Sequence, residues 1–327
     1  MPGVTPVLGG MVPPVEVLTM PIPGGLIRPD GRPVPHLRDE LRRIPSWRNA
    51  SSVVLFWVQT LAVLWAATAV HHPLGYIAAF LLMGRAHAQI AALMHEAAHR
   101  LLFRDRRAND FVGRWILGYP ALTNTDGYRR VHMAHHRQEF GPDEPDIALY
   151  QGYPVGRDSL RRKLVRDATG RTGIKLLAGQ LRGLRSPDRR ARRSLQKILA
   201  VQLVLMTLAW LAGHPLVYWL LWIGPYLTVW RVINRLRSIA EHGGMQMSAD
   251  RRETTHSVRQ HWFARSVLVP YWIGWHLAHH CDSGVPMRNL PRYHRELVAS
   301  GYVTTGLEAP AYRALWRKLA SGAVGSN

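Results

Sequence analysis

Cysteine is almost missing from this chain. Cys281 stands alone, which excludes an internal disulfide framework and a cysteine-built zinc or iron–sulfur site. Acidic residues are scarce as well, 21 against 42 Lys plus Arg, so the formal charge is +21. No basic residue precedes Arg28, so the N-terminal stretch lacks the form of a cleaved secretory signal. Charge of either sign is absent from residues 51–70 (SSVVLFWVQTLAVLWAATAV), a run long enough to cross a hydrocarbon core of about 30 Å.

What is present is strongly segregated. Hydrophobic residues fill 47% of the 327 positions, which excludes wholesale disorder. A second apolar run, 73–94, follows the first after only His71 and His72. A third and fourth, near 198–213 and 215–234, are parted by Gly213 and His214. Roughly half of the Lys and Arg lie between residues 100 and 197. The charge and a mean hydropathy of −0.10 would suit a soluble nucleic-acid binder, but both are averages over unlike parts. Basic loops on one side of apolar spans are the positive-inside pattern of a membrane protein, so no nucleic-acid partner is expected.

The predicted fold is all-α and polytopic: four transmembrane helices in two hairpins, below a cytoplasmic helical cap. The hairpins turn at HHPLGY (71–76) and GHPLVY (213–218), where proline sits in the first helical turn without losing a bond. Residues 1–48, rich in Pro and Gly, are expected as a flexible arm with an interfacial stretch at 37–48. Residues 49–310 would form the catalytic domain and 311–327 a tail. Both termini and the loop 100–197 would share the cytoplasm. The heavy preference for Arg over Lys hints at a GC-rich bacterial source, and the expected location is the bacterial cytoplasmic membrane.

The second and fourth spans outrun the bilayer. Pro73 to His95 is about 33 Å and Pro215 to His242 about 40 Å as helix, so both should emerge on the cytoplasmic side carrying histidines. Those histidines belong to four clusters: HEAAH with His95 and His99, HMAHH with His132, His135 and His136, AEHG with His242, and HLAHH with His276, His279 and His280. Positions i, i+3 and i+4 share one side of a helix, so each box offers a stripe of imidazoles. Neutral imidazole ligates Zn, Cu, Fe or Ni, and nine nitrogens suit two ions better than one. Arg85, His87 and Gln89, in the inner half of the second span, should face the bundle interior or snorkel. His36, His71, His72, His214, His256 and His261 are expected at turns or on the surface.

Two other metal chemistries share these residues. HEAAH matches a zinc-hydrolase motif with Glu96 as general base, which would make the chain a membrane metalloprotease. That leaves seven box histidines unused, and no further zinc-ligand extension follows. Glu96/His99 and Glu253/His256 have the spacing of a carboxylate di-iron bundle, but Glu253 lies in a polar stretch without an apolar face.

The order hairpin, HxxxH, HxxHH, hairpin, EH, HxxHH resembles the membrane fatty acid desaturase family from about residue 51 to 297. Glu144-Pro145-Asp146 and VPMRNLPRYHREL (285–297) add to the likeness. The resemblance implies an O2-dependent oxidoreductase with two iron ions, removing vicinal hydrogens from a fatty acyl or related lipid chain, or hydroxylating it as a hydroxylase or ketolase. It further implies His95, His99, His132, His136 and His279 at one iron, and His135, His242, His276 and His280 at the other. Glu96, Asp146, Glu241 and His87 are candidates to orient those imidazoles. With no bound haem, flavin or nucleotide expected, electrons would come from a separate ferredoxin-type or haem carrier. Ser238 stands where stearoyl-CoA enzymes carry Asn, and HHCDSGVP replaces the HHLFPxVP of acyl-lipid enzymes, so an unusual substrate is allowed.

Overall fold

The computed structural model describes residues 9–322; the first eight residues of the expected arm and the last five of the tail lie outside them. The described chain is mostly helical, 67% of it, with its strands confined to a two-residue parallel pair (Ser257↔Glu308, Val258↔Ala309) and two isolated bridges. The helices used below are α1 (Pro35–Leu41), α2 (Ser46–Val70), α3 (Pro73–Ala98), α4 (Arg106–Phe111), α5 (Thr125–Gln138), α6 (Arg171–Leu181), α7 (Arg189–Leu211), α8 (Pro215–His242) and α9 (His276–Cys281). They fall into two compact units. One comprises residues 45–129 and 163–234, the other 9–44, 130–162 and 235–322.

The first unit holds the four helices long and apolar enough to cross a membrane: α2, α3, α7 and α8. Their apolar windows are unequally covered, 61% and 44% buried in α3 and α8 but 22% and 17% in α2 and α7. The inner pair is therefore α3 and α8, while α2 and α7 turn their apolar side chains outward. Glycine permits the inner packing. A Cβ at Gly84 would meet Val229, and one at Gly224 would meet Phe80, the close backbone approach that membrane helices favour.

The helical turn after α4 and the irregular segment that follows it enter this unit, and their carbonyls are answered by side chains from the spans. Gln202 Nε2 donates to Tyr119 O and Pro120 O at 2.7 and 3.1 Å, Trp222 Nε1 donates to Pro120 O, and Trp57 Nε1 to Ile116 O. Without those donors, bare carbonyls among apolar helices would each cost several kcal/mol. His87 and Gln89 are buried, as expected for polar residues of a span. His87 Nε2 donates to Trp222 O at 3.0 Å, and Arg85 donates to Gln89 Oε1.

In the other unit, the segment before the spans has definite anchors. α1 buries Leu37 and Leu41. Arg38 and Arg42, one helical turn apart, both donate to the Asp282 carboxylate, whose side chain is only 2% exposed. Gly31 (φ +78) leaves no room for a Cβ against Cys281 Sγ and the Tyr302 ring, and its carbonyl accepts Tyr293 OH at 2.6 Å. Pro and Gly dominate the composition here, yet two arginines and two leucines tie the segment down. Residues 9–44 and 311–322 belong to the same unit.

Helix α6 offers an internal control on packing. A Cβ at Gly173 would come 2.3 Å from Leu227 O and 2.6 Å from its Cα, whereas nothing lies within 4 Å of Gly179. Backbone cannot rotate away, so Gly173→Ala should cost about 1–3 kcal/mol. Gly179→Ala should be neutral or stabilising by about 0.5–1 kcal/mol. Thermal unfolding of both variants in detergent checks this; coincident midpoints would contradict the close approach of α6 and α8.

Candidate metal centre

The three histidine-bearing elements of the second unit are set off by caps, glycines or left-handed backbone at their ends. Asn124 Oδ1 caps the start of α5 by accepting the Asp126 N–H at 3.1 Å. Past the HMAHH stripe, Phe140 adopts a left-handed backbone (φ 61) and turns the chain back. α8 ends at His242, followed by Gly243 and the left-handed Gly244 (φ 76). α9 is entered through Tyr271 (φ 57) and Trp272 (φ 66), strained conformations for bulky residues, with Arg288 over the Trp272 ring.

These elements gather seven buried imidazoles: His132, His135, His136, His242, His276, His279 and His280. Their Nε2 atoms converge. His136 Nε2 lies 3.1 Å from that of His132 and 3.0 Å from that of His279. His276 Nε2 lies 3.0 Å from those of His242 and His280. His135 joins the second group, with ring centroids 4.8 and 5.1 Å from His242 and His280.

The opposite ring nitrogens are held outward. His135 Nδ1 donates to Glu144 Oε1 at 3.0 Å, His280 Nδ1 to Glu139 Oε1 at 2.5 Å, and His242 Nδ1 to Thr254 O at 2.9 Å. His276 Nδ1 stands 3.6 Å from Glu241 Oε1. Acceptors at Nδ1 assign the proton there and leave the Nε2 lone pair facing inward. Inward lone pairs only 3 Å apart repel one another, and a shared cation removes that repulsion. The donor set is all nitrogen, which fits Fe, Zn, Cu or Ni and not a hard oxygen-seeking ion such as Ca or Mg.

Burial favours the neutral form of three of these rings. Burial, reinforced by neighbouring imidazoles, pushes His242, His276 and His280 well below the ordinary histidine value. Burial works on His135 in the same sense, but the hydrogen bond and charge of Glu144 outweigh it and raise that group. Burial raises Glu139, opposed by Arg251, whose guanidinium is 2.6 Å away. It raises Glu241 too, opposed by Arg237. Neutral imidazole is the ligating form.

His95 and His99 stand in the spanning unit, at the end of α3, with ring centroids 4.6 Å apart. Glu96 is buried in α3, and His87 is engaged by the Trp222 carbonyl and packed on Trp222 and Tyr226. Asp146 lies beside His135 and Glu144, but the bond to His135 Nδ1 comes from Glu144, and Asp146 contributes its main-chain N–H to that carboxylate. Glu139 and Tyr150, whose hydroxyl is 3.3 Å from His135 Nδ1, were not anticipated. Glu139 had a signal, a carboxylate three positions beyond His136 and just past the end of the same helix. His256, expected at the surface, is buried with Nε2 donating to Gly243 O at 2.8 Å, because the α8–α9 connection folds inward there. His36, His71, His72 and His261 are exposed.

A family model described as fatty acid desaturase matches residues 71–307, a stretch that contains all four histidine clusters. The chain belongs to the fatty acid desaturase family. It is also 25% identical over 229 residues to dihydrorhizobitoxine desaturase of Bradyrhizobium elkanii. That alignment covers 64% of this chain and 64% of the relative's own length. Family membership and the four apolar helices suggest a membrane protein. The histidine cage of this desaturase-family chain is compatible with a metal site.

Two measurements bear on the cage. Glu144→Gln keeps an acceptor for His135 but removes the charge, and metal affinity should fall roughly 10- to 100-fold in a metal titration; unchanged affinity would mean the carboxylate does not tune the ligand. His256 is depressed to about 4 by burial, which outweighs its bond to Gly243. Above its unfolded value, near 6.5, the group is neutral in both states and contributes nothing. As the pH falls from there toward 4 only the unfolded chain gains the proton, so folding loses up to roughly 3 kcal/mol from this residue. His256→Gln retains the donor to Gly243 and should flatten that share of the acid decline in unfolding midpoints taken between about pH 7 and 4.

Proposed function

We propose that the chain is an O2-dependent, di-iron membrane desaturase that introduces a C=C bond into a fatty acyl or related lipid chain. The observation that carries this reading is the buried cage of seven imidazoles with Nε2 inward and Nδ1 anchored outward. An unactivated methylene has no acidic proton and no leaving group, so acid–base side chains cannot attack it. Iron bound here would supply O2-dependent hydrogen abstraction. His132, His136 and His279, with His95 and His99 from α3, are assigned to one ion, and His135, His242, His276 and His280 to the other.

The chain's own residues have supporting tasks on this reading. Glu144, Glu139 and Thr254 O hold three Nδ1 protons, which fixes ring orientation before any metal arrives. Burial of all seven rings excludes water that would compete for the ions. Arg38 and Arg42 clamp Asp282, two residues past His280, and so hold the end of α9. Electrons are assigned to a separate ferredoxin-type or haem carrier, and the metal site to the cytoplasmic face of a bacterial membrane. The relative named for dihydrorhizobitoxine favours, as a second reading, a desaturase whose substrate is not a fatty acid.

The test is chemical profiling of cells expressing the protein against a His135→Ala control, with metal analysis of the purified protein. Two irons per chain and new double bonds in lipid, lost in the variant, are expected. New hydroxyl groups would replace desaturation by hydroxylation. New unsaturation confined to the small-molecule fraction would select the second reading. One zinc per chain with no change in either fraction would overturn the proposal.

A further inference from the structure

We propose that the spanning unit binds the headgroup of an anionic phospholipid in a cavity of about 280 Å³ lined by Arg106, Arg107, Asp110, Phe111, Arg114 and Trp115. The cavity lies on α4 and the helical turn that follows it, entirely within one compact unit. Its height relative to the spans is set by contacts. Ile116, next to Trp115, accepts Trp57 Nε1 from the middle of α2, and Lys197 in the early part of α7 places Nζ 6.0 Å over the Trp115 ring. Asn109 Nδ2 donates to Ala97 O, the end of α3. The cavity thus sits beside the end of α3 and the start of the apolar run of α7, the depth of the headgroups.

Its lining has the chemistry of that depth. Arginine presents a planar fork of donors to phosphate oxygens, and Phe111 (56% exposed) and Trp115 (39% exposed) offer apolar surface beside it. Arg106, Arg107 and Lys197 are exposed, and none pairs with an acidic side chain among the described residues. Asp110 does not offset them, because Arg129 holds its carboxylate at 2.6 Å and Arg114 and Arg100 lie within 4 Å of it. A free phosphate has no use for the two exposed rings, whereas a phospholipid carries acyl chains to lay against them.

The same unit repeats the pattern on α6. Ile174, Ala178, Leu181 and the following Leu184 form an exposed apolar stripe bordered by Arg171, Lys175 and Arg182. An apolar stripe edged with basic residues is the form of a helix lying in a headgroup layer.

Purified full-length protein in detergent, titrated with phosphatidylglycerol or phosphatidylcholine and read by native mass spectrometry, tests the assignment. Wild type should retain phosphatidylglycerol roughly tenfold better. Arg106→Gln/Arg107→Gln, and separately Lys197→Gln, should lower that preference toward parity, with unfolding midpoints confirming that both fold. Arg295→Gln/Arg313→Gln, an equal charge loss in the other unit, should keep it. Equal retention of the two lipids by wild type, or an unchanged preference in Arg106→Gln/Arg107→Gln, would overturn the proposal. Displacement of the lipid by millimolar inorganic phosphate would show a free-anion site instead. Loss of electron delivery from an acidic carrier at unchanged lipid retention would mark a protein-docking surface and equally defeat the lipid assignment.

Discussion

Burying seven imidazoles side by side is the constraint to which the second unit is built. Charged, they would repel one another and lose hydration that a desolvated cage cannot return. Neutral, each still has one donor and one acceptor to satisfy. The chain answers the donors with Glu139, Glu144 and the Thr254 carbonyl, and leaves the acceptors pointing at one another. Stability and ligand readiness are therefore served by the same contacts.

The spanning unit solves a related problem with different means. Apolar surroundings leave no water for backbone carbonyls, so the irregular segment around Pro120 is acceptable only because Gln202 and Trp222 reach it. The inner pair α3 and α8 comes close through Gly84 and Gly224, while the polar His87 spends its donor on a main-chain carbonyl. Polar residues in these spans are structural where they meet backbone.

Strain is concentrated where the cage needs it. Phe140, Tyr271 and Trp272 adopt left-handed backbone beside the second and last boxes, positions at which a bulky side chain is costly. The cost is offset by packing and by anchors such as the Arg38 and Arg42 pairing with Asp282, which joins sequence ends more than 200 residues apart.

The sequence by itself determined the four apolar helices and the histidine stripes, because both depend on local periodicity: uncharged runs long enough for a bilayer, and imidazoles at i, i+3 and i+4. Only the tertiary structure decided which carboxylates serve the imidazoles. Glu139 is 141 positions from His280, so spacing along the chain says nothing of that pairing. It decided also that His256 is interior and that the Pro- and Gly-rich arm is pinned by α1. Periodicity reports which face a residue occupies on its own helix, whereas partnership between distant residues arises only when burial forces each donor to find an acceptor.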